Sequence, residues 1–300
     1  MRHAMNYRLL LSFILLLTIK SVGAQSTLDV VVSIKPIHSI TTMLMDGIAM
    51  PKLLLNSSNS AHTFHLKPSQ IKMLSNADLI ITISDDFEIG LRKALKNINK
   101  ASHLSIINLD QLKIHNSRGE EIYGLHEEHN KFDLHLWLDV NNMQLISKHI
   151  STLLIELDPV NASRYSENFL KVHSELNKLK IELQQQLAPF SSTQYAIFAD
   201  ILQYFEDSLQ LSKPVIISPF HGARLSIKRT LKAKKIIKDL NIKCLLYDPE
   251  IKAKQVQVLS EGLNLKVYKI DILGNEFAPG QGLYFNLMKK TSSQLSLCLK

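Results

Sequence analysis

Long hydrophobic segments are almost absent from this sequence, and their absence argues against a membrane anchor in the body of the chain. The one marked apolar run, Leu9–Ile19, is too short to span a bilayer as a helix. Arg2 and Arg8 come before it and the small residues Val22-Gly23-Ala24 follow it, which is the pattern of a cleaved secretory signal peptide. We therefore expect residues 1–24 to be a signal peptide and the mature protein to be secreted and soluble. An uncleaved signal anchor is the alternative.

Cysteine is scarce as well, because only Cys244 and Cys298 occur in the 300 residues. Neither lies near the expected cleavage point, so a lipid-attached form is not indicated and a Gram-negative periplasm is the expected compartment. An even count in an oxidising compartment permits one disulfide, which would stabilise the C-terminal half by about 4 kcal/mol. Spacing alone does not prove that the sulfurs meet, so two free buried thiols stay open as the alternative.

Acidic residues are outnumbered, and the formal net charge is +8. Removal of the signal segment, which carries three cations and no acid, leaves a mildly basic chain. Much of that charge falls in one predicted amphipathic helix, whose cations are Arg224, Lys228, Lys232 and Lys235 and whose apolar positions are Ile227, Leu231, Ile237 and Leu240. We interpret the cations as a solvated helix face, and we do not expect nucleic acid as a partner of a secreted protein. We expect a monomer.

Short apolar runs alternate with amphipathic stretches after the signal, which is the pattern of α/β units around mainly parallel sheets. The length suggests two such units, an N-terminal lobe at 25–157 and a C-terminal lobe at 190–300. The strands predicted in the first lobe are Val30–Ile34, Lys52–Leu55, Leu79–Ile83 and Leu104–Ile107. The strands predicted in the second lobe are Tyr195–Phe198, Val215–Ile217, Cys244–Tyr247 and Lys266–Ile270.

Between the lobes, residues 158–189 are predicted to form one long helix. Asp158-Pro159 supplies a cap and a proline at the first helical position, and Pro189 ends the segment. Its apolar residues recur every three or four positions, at Tyr165, Phe169, Val172, Leu176, Leu179, Leu183 and Leu187. At 1.5 Å per residue the helix would reach about 45 Å, enough to brace both lobes and to limit hinge closure.

Candidate ligand residues occur in four short segments, each predicted where a strand meets the following turn. They read AHTFHLKPSQ (61–70), FDLHLWLD (132–139), IFAD (197–200) and KIDILG (269–274). None is specific alone. Taken in order around a long central helix, AHTFHLKPSQ, FDLHLWLD and YKIDILG resemble the ZnuA-type zinc-binding proteins, whose wider group includes manganese-binding relatives. The resemblance covers essentially the whole mature chain, and the Cys244 to Cys298 spacing also matches the C-terminal disulfide of that family.

The resemblance implies two α/β lobes joined by one long backbone helix, with a metal cleft between the lobes. It also implies a periplasmic receptor, not an enzyme, that captures Zn²⁺ as its transported ligand and delivers it to an inner-membrane ABC permease. The implied zinc ligands are His62, His135 and Asp271. Zinc prefers neutral imidazole nitrogen and a tetrahedral shell, which agrees with both histidines. Without the resemblance, His135 beside Trp137 also fits a core histidine that binds no metal.

The third ligand of the family is missing here. ZnuA-type proteins have a histidine in a strand that ends F-H-D, and the manganese-type relatives have a glutamate there, whereas this chain has Ala199 followed by Asp200. Alanine has no donor atom. Asp200, His38, His65 or a water molecule are the candidates to complete the shell, and Asp200 is disfavoured because alternate strand residues point to opposite faces.

Further histidines lie in segments with no apolar period. The polar stretch 113–131 carries His115, His126 and His129, and we expect a loop there, although a His-x-x-His pair can hold zinc weakly. His221 is also expected on a surface loop.

Two other functions compete with zinc uptake, besides selectivity for manganese. A zinc-dependent hydrolase is disfavoured because the chain has no H-E-x-x-H helix and no evident general base near Ala199. A degenerate receptor that has lost metal binding would explain Ala199 directly, and a metal titration separates it from an importer. Two imidazoles would favour zinc over manganese.

Overall fold

The computed structural model describes residues 28–56, 64–98, 101–118, 131–218 and 225–300. The expected signal peptide, 1–24, lies outside these ranges. Within them the chain forms two four-stranded sheets, one in each half of the sequence, and the strands of both sheets are parallel. The predicted architecture of two α/β lobes around a long helix is therefore confirmed.

The first sheet has the order β2-β1-β3-β4. Its strands are β1 (Val30–Val32), β2 (Lys52–Leu53), β3 (Leu79–Thr82) and β4 (Ser102–Ser105). The central strands β1 and β3 are buried throughout, as apolar parallel strands covered on both faces should be. The prediction for β4 was wrong by two residues, because this edge strand begins with exposed polar residues and the apolar pair Ile106-Ile107 lies in a following 3₁₀ turn.

The second sheet has the order β6-β5-β7-β8. Its strands are β5 (Ala196–Ala199), β6 (Val215–Ser218), β7 (Cys244–Tyr247) and β8 (Lys266–Lys269). In each sheet the first strand of the lobe pairs on one side with the second strand and on the other side with the third. In the first lobe the chain therefore passes from β1 to β2 on one side and then crosses back to β3 on the other side of β1. The second lobe does the same around β5. This reversal of direction creates a crevice at the carboxyl ends of the central strands.

The helices cover these sheets and connect the lobes. In chain order they are α1 (Lys35–Leu44), α2 (Pro68–Asn76), α3 (Arg92–Leu95), α4 (Val140–Leu157), α5 (Ala162–Leu187), α6 (Gln203–Ser208), α7 (Ile227–Asp239), α8 (Ala253–Ser260) and α9 (Leu283–Leu299). Short 3₁₀ turns lie at Ile89–Leu91, Ile106–Asn108, Leu136–Leu138, Pro159–Asn161 and Ala188–Phe190.

Helix α5 is the predicted long connector, with 3₁₀ turns before and after it at the two proline positions. Its 26 residues span about 39 Å. The apolar stripe from Tyr165 to Leu187 is buried, and it packs against α4 and α1 of the first lobe and against α9 of the second. Asn168 interrupts the stripe, but its amide donates to the carbonyls of Leu44 and Asp46 at 3.0 and 2.9 Å, which fixes the end of α1 on the connector.

The two lobes share one hydrophobic core, which contains residues from both sheets together with α5. Directed contacts also join them. Trp137 of the first half donates its indole N–H to the carbonyl of Ile272 at 2.9 Å, and Tyr284 donates its hydroxyl to the carbonyl of Trp137 at 2.9 Å. Since both side chains are fully buried, these bonds hold the segment around Trp137 in one position against the second lobe.

The predicted disulfide is present, with Cys244 and Cys298 bonded at an S–S distance of 2.01 Å. It ties β7 to the last turn of α9. Across the described ranges, no helix has both the length and the apolar character that crossing a membrane requires.

The basic helix is α7, but its predicted apolar positions behave differently from one another. Ile237 is buried, whereas Ile227, Leu231 and Leu240 are 82, 62 and 53 % exposed. Ala233 and Ile237, one turn apart, form the contact with the sheet, and Ile227 and Leu231 lie on the face turned away from it. Of the four apolar positions named for the predicted amphipathic helix, only Ile237 is therefore buried. Arg224 lies outside the described residues.

Candidate metal site at the carboxyl ends of the sheets

Three aspartates come directly after, or shortly after, strands at the carboxyl edge of the second sheet. Asp200 follows β5, Asp248 follows β7 and Asp271 lies two residues beyond β8. The first two flank the point where the crossovers of this sheet diverge, which is the usual ligand crevice of an open parallel sheet. Of the candidate ligand residues, Asp200 and Asp271 follow strands as predicted, and their role as ligands stays a prediction.

His135 reaches this region from a different kind of element. The segment 132–139 was predicted to end a strand, but Leu136–Leu138 is a 3₁₀ turn that leads into α4. The apolar run was mistaken for a strand because its residues are buried, but they are buried by the contact between the lobes and not within a sheet. Within this run Trp137 is anchored to the second lobe, and His135 is the residue directly before the same 3₁₀ turn.

The imidazole of His135 is held in one orientation by Asp133. One oxygen of this carboxylate, Oδ1, lies 2.7 Å from Nδ1 of the ring and also accepts the backbone N–H of His135 at 3.0 Å. Phe87 and Trp137 pack edge-on to the ring, with centroids 6.2 and 5.4 Å away. Since the carboxylate accepts a hydrogen bond from Nδ1–H, the neutral ring carries its lone pair on Nε2. This is the arrangement in which protein histidines bind metals.

Acidic neighbours give the site a negative potential. Burial lowers the pKa of His135, but the charges of Asp133, Asp200 and Asp248 outweigh burial and the net direction is upward. Burial raises the pKa of Asp248 to about 6, and it also raises the pKa of Asp200 against the opposing effect of an arginine. Burial makes ionisation of these two carboxylates costly, and a nearby divalent cation would offset that cost.

Asp200 is bound by Arg118. The guanidinium donates through Nε to Oδ2 of Asp200 at 2.9 Å and through Nη2 to Oδ1, and its Nη1 lies 2.8 Å from Oε2 of Glu206. Glu206 also accepts the hydroxyl of Tyr195 at 2.8 Å, and burial raises its pKa to about 7. Ala199, in contrast, is 1 % exposed and its methyl group belongs to the shared core.

Asp271 performs a structural task in this conformation. Its Oδ1 accepts the backbone N–H groups of Leu273 and Gly274, each at 3.0 Å, and its Oδ2 accepts those of Asn275 and Glu276. It therefore caps the turn after β8. That turn is the one whose Ile272 carbonyl accepts the indole of Trp137, so Asp271 stabilises the loop that lies beside the His135 segment.

The other candidate histidines lie either outside the described residues or within them at positions away from His135. His62, the first expected ligand, lies outside the described residues, and so do His126, His129 and His221. His38 is buried in α1, where its Nε2 lies 2.9 Å from the carbonyl of Pro51 and burial lowers its pKa. His65 is exposed. His115 packs against Tyr204 at 4.7 Å between ring centroids, and its Nε2 lies 3.5 Å from Asp207.

Several residues of the site were not predicted. Asp133 could have been found from its position two residues before His135, since a short carboxylate at that spacing can reach back to the ring. Asp248 follows a predicted strand, as Asp271 does, and the strand-end rule applied evenly would have included it. Arg118 and Glu206 carry no local signal, because they meet Asp200 only through the tertiary fold. Across the described ranges, no three His, Cys, Asp or Glu side chains converge as a ready metal site.

Comparison with known proteins places these observations in a family. The family model described as ZnuA, zinc-uptake complex component A, periplasmic, matches residues 30–298. The high-affinity zinc uptake system protein ZnuA of Brucella abortus strain 2308 is 27 % identical over 306 residues, covering 90 % of this chain and 91 % of the relative. The protein of the same description from Yersinia pestis is 23 % identical, with the same two coverages.

Solved structures agree on the fold. A crystal structure of ZnuA superposes with a TM-score of 0.78 at 21 % identity and covers 91 % of this chain and all of its own. The Ni²⁺ complex of the binding protein FpvC from Pseudomonas aeruginosa gives a TM-score of 0.76 at 15 % identity, covering 91 % of this chain and 96 % of its own. At these identities the structural likeness supports the architecture alone.

Proposed function

This chain belongs to the ZnuA family, the periplasmic component A of zinc-uptake complexes, and from that premise we propose that it binds one zinc ion between its lobes. The ion is cargo, which the protein delivers to an ABC permease of the inner membrane. The protein acts by binding and release and carries out no covalent chemistry. Its N-terminal 24 residues direct export and are removed, so that the working form is a periplasmic monomer beginning at Gln25.

The observation that carries this proposal is the pairing of Asp133 with His135. A buried imidazole whose Nδ1–H is taken by a carboxylate has its Nε2 lone pair fixed in direction, and such a carboxylate also raises the basicity of the ring. We assign His135 as one zinc ligand on this basis.

His62 and Asp271 complete the ligand set that we propose. His62 is the second residue of the AHTFHLKPSQ segment, and the described residues that lead into α2 begin at residue 64. Asp271 can offer a lone pair to zinc while it keeps backbone donors, because each carboxylate oxygen has more than one acceptor direction. The lobe at 25–157 would then contribute His62 and His135, the lobe at 190–300 would contribute Asp271, and the connector at 158–189 would join the two lobes.

Zinc titration of single and double histidine variants tests the proposal. We expect His62→Ala and His135→Ala each to weaken binding strongly and the double variant to lose the stoichiometric zinc of the native protein in calorimetry. His173→Ala is the matched control, because this histidine lies on the exposed side of α5 and should bind zinc as the native protein does. Unchanged stoichiometry in the double variant would refute the ligand assignment, and a native protein that binds no zinc would favour the degenerate receptor. A parallel titration with Mn²⁺ tests selectivity.

A further inference from the structure

Helix α7 is strongly basic and carries almost no acid. Six of its 13 residues are Lys or Arg, and Asp239 is its single acidic residue. Among the described residues, the one salt bridge of this helix joins Lys235 to Asp239. Lys228, Arg229 and Lys232, in the first two turns, have no acidic partner within the described ranges. A helix face that is only solvated usually mixes charges of both signs, so this uncompensated charge points to an anionic partner.

Two large aliphatic side chains lie exposed beside these cations. Ile227 is 82 % exposed and Leu231 is 62 % exposed, and they lie one turn apart on α7. The residues that pack α7 on the sheet lie elsewhere on its circumference. Lys228 and Lys232 each follow one of the aliphatic residues by one position, so they form a second row alongside the first. An aliphatic row next to a cationic row is the pattern of helices that lie in the membrane interface.

An apolar cavity lies beside the same cations. It has a volume of about 520 Å³ between the edge strand β6 and α7, and its lining includes Lys228, Arg229 and Lys232. The rest of its described lining is mostly aliphatic, with Val215–Ile217 from β6 and Ala233 and Ile236 from α7. A hydrocarbon chain fits such a space, and the cations would then lie at its head group. An acidic protein would satisfy the charge but leave the cavity without an occupant, so the two observations together favour an anionic lipid.

We propose that α7 binds the anionic phospholipid surface of a membrane. Lys228, Arg229 and Lys232 bind lipid phosphates. Ile227 and Leu231 enter the layer of head groups while α7 stays packed on its own sheet. Two aliphatic side chains bury too little area for a stable anchor, so the contact is reversible and weakens as salt is added.

The contact also sets which side of the protein faces the membrane. Helix α7 leads from the carboxyl end of β6 to the amino end of β7, so its first turns lie at the carboxyl edge of the second sheet. Asp200, Asp248 and Asp271 follow strands at that same edge. Bound lipid therefore holds this edge near the bilayer, where a receptor must release its cargo to a permease. This consequence, unlike the lipid contact itself, rests on the proposed function.

Partitioning onto vesicles tests the proposal with the chain that lacks residues 1–24. We expect it to bind vesicles of equal parts phosphatidylglycerol and phosphatidylcholine at low ionic strength, and not vesicles of phosphatidylcholine alone. Lys228→Gln combined with Lys232→Gln should reduce partitioning about 30-fold, because each cation close to an anionic surface contributes about 5-fold. Lys171→Gln combined with Lys178→Gln is the matched control, since it removes the same charge from exposed positions of α5 and should bind as the native protein does.

Two outcomes would overturn the proposal. Equal losses in the two double variants would show that only net charge matters and not α7. Failure of the native protein to bind the anionic vesicles would leave an acidic protein as the partner that the charge fits. Neither outcome would affect zinc titrations, so the lipid contact and the zinc receptor are tested separately.

An indole at position 231 reports whether the aliphatic row enters the lipid. We expect the fluorescence of Leu231→Trp to shift to shorter wavelength on the anionic vesicles, because the side chain leaves water. The native Trp137 is fully buried and gives a constant background. Leu170→Trp is the control, since Leu170 on α5 is 66 % exposed, close to the 62 % of Leu231, and its spectrum should not change. An unchanged Leu231→Trp spectrum in protein that sediments with the vesicles would overturn the proposal, because another face would then be the one in contact.

Discussion

Removal of the carboxylate that orients His135 should weaken zinc binding without removing a zinc ligand. Asp133→Ala takes away the acceptor that lies 2.7 Å from Nδ1 and 3.0 Å from the backbone N–H of residue 135. The ring would then be free to rotate and to place its proton on either nitrogen. Loss of such a supporting group typically costs 10 to 100-fold in metal affinity, or about 1.4 to 2.7 kcal/mol.

Asp133→Asn separates the two contributions of the carboxylate. The amide oxygen of asparagine can still accept from Nδ1–H, so the ring keeps its orientation, but the negative charge that strengthens the imidazole is lost. We expect a smaller loss of affinity than in Asp133→Ala. The difference between the two variants then measures orientation, and the remaining loss in Asp133→Asn measures charge.

Competition against a zinc-chelating dye at constant pH provides the measurement. Asp239→Asn is the control, since it removes the same charge from the exposed end of α7, where Asp239 pairs with Lys235. Native affinity in a folded Asp133→Ala protein would refute the reasoning, because it would mean that His135 needs no orientation or does not bind zinc.

Three further predictions concern stability and the missing ligand. Reduction of Cys244–Cys298, which are 54 residues apart, should lower the free energy of unfolding by about 4 kcal/mol in urea titrations, and an unchanged midpoint would contradict the loop-entropy argument. Burial raises the pKa of Glu88 from 4.5 to about 7, so its contribution to stability is complete below pH 4.5 and is lost as pH rises through 7. In Glu88→Gln we expect this pH-dependent loss, about 3 kcal/mol in the free energy of unfolding, to disappear. If the native protein does not lose stability between pH 4.5 and 7, the backbone donors at residues 83 and 84 must keep the carboxylate ionised. Ala199→His should tighten zinc binding at a cost of about 1 to 3 kcal/mol in stability, because residue 199 is fully packed, and a histidine variant that binds zinc no better would show that this position does not face the ion.

The sequence was sufficient for the parts of this protein that depend on local periodicity. The four buried strands β1, β3, β5 and β7 begin within one residue of their predicted starts, because continuous β-branched and apolar runs bury both faces. The connector helix α5 was recognised from one uninterrupted apolar stripe between two prolines. The order of three short motifs was enough to indicate the family.

Tertiary structure decided which side chains meet. Residue 118 pairs with residue 200 across 82 positions, and no local pattern predicts such a contact. The exposure of Ile227 on α7 and the 3₁₀ turn after His135 were likewise set by packing between elements and not by hydrophobic spacing. Asp200 shows the difference most clearly. Strand alternation disfavoured it as a ligand, and only the folded chain brings its carboxylate to Arg118.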